Sequence, residues 1–244
     1  MHVRGRGRSI AARQEPDSGD QARRLEAGLA ALGIASAEAV AERLLDYAHL
    51  LLAANAKTNL VGAKSLRGLI AAHLLDSLAP LAGEVLAVPV VDLGSGAGLP
   101  GLPAAIAWPE LDIVLLEPRA KRVQFLRGVV NELALPNVRV EEATAQSAAR
   151  HGMARRPGTV LARALAAPAR AIALALPLLR PGGRLFLYQG KTSAPDKAGL
   201  KRIAACGGRL LEARRVMVPY LDGQRHVWVV EKTSSNIGAP TLER

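Results

Sequence analysis

The amino-acid sequence predicts an α/β protein, a doubly wound seven-stranded sheet with an N-terminal helical extension. Three observations predict it. Short runs of Val, Ile and Leu, the form of strands buried on both faces, alternate with segments of helical periodicity from residue 88 onward. The first run passes directly into a glycine-rich turn and then a helix, the arrangement that places ligands at the carboxyl ends of parallel strands. The last two candidate strands have no helix between them, so they close one edge of the sheet as an antiparallel pair. Aromatic residues are 3% of a chain that is 50% hydrophobic, so the core packs mainly through Leu, Val, Ile and Ala.

At 244 residues the chain accommodates one α/β core and a small accessory unit. Residues 1–17 are rich in Arg, Gly and polar groups without periodicity and are expected to form a disordered basic tail. Residues 18–82 read as an N-terminal helical unit. Its first helix begins near Asp20, keeps Leu25, Leu29 and Leu32 on one face and stops at Gly33. A second follows Ser36 with Val40, Leu44, Tyr47, Leu51 and Leu52 inward. The third covers residues 65–78, with Leu66, Leu69, Ile70, Leu74 and Leu78 as its apolar stripe.

Residues 83–232 are expected to form the sheet domain. Its strands are predicted at 88–93, 113–116, 138–140, 159–162, 184–188, 210–218 and 226–230. Helices are predicted at 100–107, 119–133, 168–179 with an interruption at Pro177, and 196–205. Residues 233–244 read as a flexible C-terminal tail.

The net charge of +11, from 32 Lys and Arg against 21 Asp and Glu, favours a polyanionic partner. Arg4, Arg6, Arg8 and Arg13 account for part of it, yet the remainder of the chain is still basic. Cys206 is the single cysteine, so no disulfide forms within the chain and no cysteine-based metal site is expected. No metal is expected at all. Charges or prolines interrupt every apolar run, and the N-terminus lacks the pattern of a secretory signal, so the expectation is a cytoplasmic protein with no membrane contact.

Chemistry concentrates at Asp92-Leu93-Gly94-Ser95-Gly96-Ala97-Gly98-Leu99-Pro100-Gly101. Glycines let a backbone turn tightly and approach a ligand that a Cβ would block. The dinucleotide fingerprint requires a glycine where this chain has Leu99, and the Gly-Lys-Ser/Thr of a phosphate-binding loop is absent. A ligand without phosphates fits such a loop, and S-adenosylmethionine is one. Glu117 lies 19 residues after Gly98, at the end of the next strand. There it can accept hydrogen bonds from ribose hydroxyls; the competing reading is an exposed carboxylate paired with Arg119 or Lys121. Asp92 either orients loop amides, lies near the cofactor's ammonium group, or serves as a structural cap.

With these residues stand Asn59-Leu60-Val61, His73-Leu74-Leu75-Asp76-Ser77 and Lys121-Arg122-Val123-Gln124-Phe125-Leu126, in that order along the chain. Together with the Leu99-Pro100-Gly101 extension of the loop they resemble the bacterial small-subunit rRNA guanine-N7 methyltransferases, the glucose-inhibited division protein B family. Arg163-Ala164 and the stretch Val218-Pro219 through Asp222-Gly223-Gln224-Arg225-His226 extend the likeness, which covers roughly residues 36–232. The resemblance implies the class I methyltransferase fold, S-adenosylmethionine as cofactor, and methylation of a guanine N7 in 16S rRNA, free or in the small ribosomal subunit, by a monomer. Carried over by position, it puts cofactor contacts at Gly94, Leu99, Ala145, Gln146 and Arg163, beside Asp92, Gly96, Gly98 and Glu117 from the loop itself. Positions 54, 72 and 189 hold Ala, Ala and Gln, where the family often has Trp, a basic residue and Lys.

Guanine N7 carries an in-plane lone pair, so it attacks the methyl group without losing a proton, and no general base is required. Arg163 and Asp76 are the candidate cleft residues, Asp76 as a counter-charge to the methylated base. Arg119, Lys121 and Arg122 at a helix N-terminus, with Lys191 and Arg225, are the candidate RNA contacts, and Tyr188 and Tyr220 the candidate stacking platforms. His73 reads as a hydrogen-bonded residue at the junction of the two units. A methyltransferase for a small molecule or protein, and a non-catalytic RNA-binding assembly factor, are the alternatives; a nicotinamide-dependent oxidoreductase is weakest because of Leu99.

Overall fold

The computed structural model describes residues 18–153 and 155–233. Its strands are β1 (Val90–Leu93), β2 (Ile113–Leu116), β3 (Val138–Glu141), β4 (Thr159–Ala162), β5 (Arg184–Gln189), β6 (Gly208–Val216) and β7 (Arg225–Lys232). They form one sheet in the order β3-β2-β1-β4-β5-β7-β6. β1 to β5 are parallel, and β7 runs antiparallel to both β5 and β6. The chain winds outward from β1 through β2 to β3, then returns to start β4 on the other side of β1. That reversal opens a crevice at the carboxyl ends of β1 and β4.

Alternation along each strand divides the core into two layers. Val90, Ile113, Leu115, Leu161, Phe186, Val227 and Val229 face one side. Val91, Leu93, Val114, Leu116, Val160, Leu185 and Val230 face the other. The first side is covered by α1 (Ser18–Ala31), α2 (Ala37–Thr58), α5 (Gly101–Ala107) and α6 (Ala120–Glu132), with α3 (Leu66–Leu69), a π-helix (Ile70–Leu75) and α4 (Asp76–Leu78). The second is covered by α7 (Ala145–His151), α8 (Pro168–Ala175) and α9 (Lys197–Ala205). The expected helical unit, residues 18–82, thus shares one core with a face of the sheet: Leu25, Leu44 and Leu74 belong to the same cluster as Val90 and Phe186.

Several boundaries differ from the sequence reading. The first strand begins at Val90, because Pro89 has no N–H to donate to a ladder. The helix expected at 65–78 is a short α-turn, a π-helix and a final α-turn. Within the π-helix the carbonyls of Ala72 and His73 accept from the Arg163 guanidinium at 3.3 and 3.2 Å. α7 has no counterpart in the sequence reading, since its buried face consists of Ala145 and Ala148 and gives almost no hydrophobic period. Its signal was Thr144, whose Oγ1 accepts the Ser147 N–H at 3.0 Å as an N-cap. The helix expected to reach residue 179 ends at Ala175, ahead of Pro177. The sixth strand starts at Gly208 and carries a bulge between Leu210 and Glu212. The expected tails, 1–17 and 233–244, lie outside the described residues apart from Thr233, whose N–H donates to Gly207 O.

Candidate active site

β1 delivers Gly94 to the crevice, and the turn is laced to the end of β2. The N–H groups of Gly94 and Ser95 both donate to Leu116 O, at 2.8 and 3.2 Å. Gly94 has φ 74°, and a Cβ there would lie 2.5 Å from Leu165 Cδ1. Gly98 has φ 97°, and a Cβ there would run into Leu102. Both positions therefore need glycine for conformation and for space. Gly96 is left-handed too, yet the nearest group its Cβ would meet is the Arg122 guanidinium at 3.5 Å, an ordinary contact. Leu99 is buried in the core, and its N–H donates to Ser95 O at 3.1 Å.

Two carboxylates brace this loop from beneath. Glu117, 2% exposed, accepts the Gly96 N–H on Oε2 at 2.9 Å and the Arg119 N–H on Oε1 at 3.0 Å. It is not the exposed carboxylate of the competing reading, and its nearest cation is Arg122, 4.0 Å away. Each oxygen keeps a second lone pair for a further donor. Asp92, 1% exposed, accepts the Gly101 N–H on Oδ2 at 3.0 Å and so holds the start of α5. Its Oδ1 is buried without a hydrogen-bond partner. Burial pushes the Asp92 carboxyl up to about 7, against the opposing pull of the Gly101 N–H.

A third brace was invisible as such in the sequence. Tyr47 of α2 is fully buried, and its hydroxyl donates to Ala97 O, inside the glycine loop, at 2.8 Å. Burial raises its pKa, so the phenol keeps its proton and acts as a donor. The periodicity had marked Tyr47 only as an inward apolar position. A hydroxyl on that buried face was the available signal, because a buried phenol needs a partner.

Arg163, at the end of β4, is committed to the helical layer. Besides the two carbonyls, its Nη1 donates to Ser77 Oγ at 2.8 Å and lies 3.5 Å from Asp76 Oδ2, and its Nη2 donates to His73 Nδ1 at 2.9 Å. Asp76 Oδ1 in turn accepts from Arg225 Nε at 2.8 Å. Asp76 is thus spanned by two guanidinium groups and is 6% exposed, which leaves its charge already neutralised rather than available to a methylated base. Burial, Arg163 and Arg225 together lower the His73 pKa to about 4, so the imidazole is neutral at ordinary pH. Tyr188 donates its hydroxyl to Ser77 O at 2.7 Å, which fixes it as part of this wall.

Residues 40–227 match the family described as rRNA small subunit methyltransferase G. The chain belongs to this family. Proteins named ribosomal RNA small subunit methyltransferase G are its relatives. That of Xanthomonas campestris pv. campestris strain 8004 is 39% identical over 78% of this chain and 85% of the relative. That of Xanthomonas oryzae pv. oryzae strain MAFF 311018 is 38% identical over 85% and 93%. Among solved structures, the 1,6-didemethyltoxoflavin-N1-methyltransferase of Burkholderia thailandensis is 15% identical, with a TM-score of 0.49 over 78% of this chain and 90% of that one.

In this member of the small-subunit rRNA methyltransferase G family, the remaining sequence candidates separate into two groups. Arg119, Lys121 and Lys191 are exposed, as are Lys197 and Lys201. Arg122 and Arg225 are turned inward, the first over Glu117 and Gly96, the second onto Asp76 and Gln224 O. Ala145 and Gln146 form the first turn of α7, just past the carboxyl end of β3, with Ala145 buried and Gln146 exposed. Tyr220 is 45% exposed, and the Arg24 guanidinium stacks on its ring 3.9 Å from the centroid. Among the described residues, no cluster of three His, Cys, Asp or Glu could hold a metal, and no helix is long and apolar enough to cross a membrane.

Proposed function

We propose that this chain transfers the methyl group of S-adenosylmethionine to N7 of a guanine in 16S rRNA. The observation that carries the reading is the braced glycine loop at the switch point, with a buried acid at the end of β2 and no phosphate apparatus, in a chain of this family. The residues fit the cofactor. Asp92 Oδ1 is an orphaned buried acceptor beneath the loop, suited to a cationic group, and the free lone pairs of Glu117 suit ribose hydroxyls. Gly94, Gly96 and Gly98 supply backbone surface, and the first turn of α7, Ala145 and Gln146, supplies groups for the adenine. Leu99 packs under the loop rather than into it, and Arg163 shapes the neighbouring wall.

The bound cofactor supplies an electrophilic methyl on a sulfonium. Held by the loop with Asp92 and Glu117, it would supply a methyl group that the in-plane N7 lone pair takes up without losing a proton. No proton moves in this step, so the chain has only to align the base, exclude water and keep both partners in line. The neutral His73 and the paired Asp76 are consistent with a site that performs no acid–base chemistry.

Arg119, Lys121 and Lys191 are the exposed cations we assign to the RNA backbone, in keeping with the +11 net charge. The reading includes a cytoplasmic monomer acting on 16S rRNA or on the small ribosomal subunit. The test is transfer of a radiolabelled methyl group from S-adenosylmethionine to rRNA and to 30S particles, followed by nucleoside analysis. Label in 7-methylguanosine is the expected result. No label on either substrate, with cofactor binding intact, would overturn it in favour of a small-molecule or protein acceptor.

A further inference from the structure

A cavity of about 370 Å³ lies beside the loop, between the π-helix, the turn after β4, the end of β5 and the start of β7. Its position ties it to the cofactor loop: Leu165, next to the cavity-lining Ala164, packs directly against Gly94. The volume is within the range of small-molecule sites, roughly 300–1,000 Å³, and an enzyme that modifies a base lifts it out of its stack into such a pocket.

Two histidines line this cavity, and their neighbours give them opposite hydrogen-bonding characters. Arg163 Nη2 donates to His73 Nδ1 at 2.9 Å. A guanidinium has donors only, so Nδ1 must be the accepting nitrogen, and the neutral ring carries its proton on Nε2. His226 Nδ1 lies 2.9 Å from Gly190 O. A carbonyl can only accept, so here Nδ1 carries the proton, and in the neutral ring Nε2 bears a lone pair. Among the described residues neither Nε2 has a hydrogen-bond partner, and neither is a sealed, unsatisfied atom. Of the two neutral rings lining the cavity, His73 therefore offers an N–H donor at Nε2 and His226 an acceptor at Nε2.

We infer that this pair selects the base, with His73 Nε2–H donating to guanine O6 and His226 Nε2 accepting the guanine N1–H. The inference rests on the guanine-N7 reading above and adds the groups that recognise the acceptor. Adenine presents the reverse pattern, an amino donor where guanine has O6 and a bare N1 where guanine has N1–H. It would leave both histidines facing groups of their own kind. The assignment also gives a role to the Arg163 clamp. By holding Nδ1 it sets which nitrogen of His73 is the donor, so Arg163 is a positioning residue for specificity.

The experiment uses the full chain and an rRNA fragment carrying the guanine found to be methylated, with that position replaced in turn by inosine and by 2-aminopurine. Inosine keeps O6 and N1–H and lacks only the amino group; 2-aminopurine lacks both O6 and N1–H and keeps N7. Single-turnover methylation of inosine should stay near the guanine rate. With 2-aminopurine it should fall by about 10- to 100-fold, as expected when buried polar groups lose their partners. In His73→Leu the guanine rate should fall and the penalty for 2-aminopurine should shrink several-fold. His73→Gln, which retains an N–H donor, should restore part of the preference.

Wild-type protein that methylates 2-aminopurine as fast as guanine would overturn the inference without recourse to any variant. So would a His73→Leu protein that keeps the full wild-type preference. Absence of 7-methylguanosine on unmodified RNA is a different failure, which removes the guanine-N7 reading and this inference with it.

Discussion

Tyr47→Phe removes one oxygen atom from α2 and leaves a carbonyl of the glycine loop without its donor. Tyr47 is fully buried and Ala97 is 5% exposed, so water does not replace the lost 2.8 Å bond. Among the described residues, no other donor reaches Ala97 O. Orphaning a buried carbonyl costs about 1–3 kcal/mol. For a chain of this length each kcal/mol moves Tm by about 2–4 °C, so the expected fall is about 2–12 °C. The loop relieves the orphaned group by relaxing in the free protein, and the cofactor must then restore the bound shape. An affinity loss of about tenfold corresponds to 1.4 kcal/mol of that cost.

Tyr188→Phe is the matched control. Its hydroxyl donates to Ser77 O at 2.7 Å, in the wall rather than in the loop. Scanning calorimetry should show comparable losses of Tm for the two variants, and titration calorimetry with S-adenosylmethionine should show weaker binding for Tyr47→Phe alone. Equal cofactor affinities in wild type and Tyr47→Phe, with Tm lowered, would refute the reasoning. The hydroxyl would then stabilise the fold without shaping the loop.

Three further outcomes follow from the site. Gly96→Asp should fold, because its Cβ has room and Asp tolerates a left-handed backbone, yet it should weaken cofactor binding by at least about tenfold by adding a charge beside Glu117; normal titration calorimetry would remove the loop from the site. Arg122→Glu should lower cofactor affinity, since it sets a carboxylate against Glu117, whereas Lys121→Glu should lower RNA affinity and flatten its salt dependence while leaving the cofactor bound as before. Filter binding across a salt series separates them, and unchanged RNA affinity would exclude this helix as the docking face. Asp92→Asn should change how stability depends on pH. Asp92 is raised from 3.8 to about 7, so between those values the native state holds a proton that the unfolded chain has lost, and stability falls as pH rises. His73 is lowered from 6.5 to about 4, so across its window the unfolded chain holds the extra proton and stability rises with pH. The two slopes, each up to about 1.4 kcal/mol per pH unit, oppose one another in wild type, and the variant should show the rise alone. Denaturation curves for variant and wild type that run parallel through that window would contradict the assignment.

The elements legible in the sequence are those whose environment is symmetrical or strongly periodic. Strands such as Ile113–Leu116 and Thr159–Ala162 are buried on both faces, so all their residues but Thr159 are apolar and their limits stand out. α7 was hidden because alanines alone cover its buried face, and the π-helix because the donor to its carbonyls, Arg163, lies ninety positions from His73 in the chain.

The order of residues alone specified the doubly wound sheet, the glycine loop and the acid at the end of the second strand, because each is set by local spacing and residue type. It also supplied Asp92, with its choice of roles open. Packing settled that Asp92 holds the start of α5, that Tyr47 closes the loop from another layer, and that Arg122 and Arg225 turn inward while Lys121 stays in solvent. A hydrogen bond is made where two groups meet in space, and chains distant in sequence meet only through packing. The same physics gives His73 and His226 their opposite characters: identical residues, distinguished by a guanidinium beside one and a carbonyl beside the other.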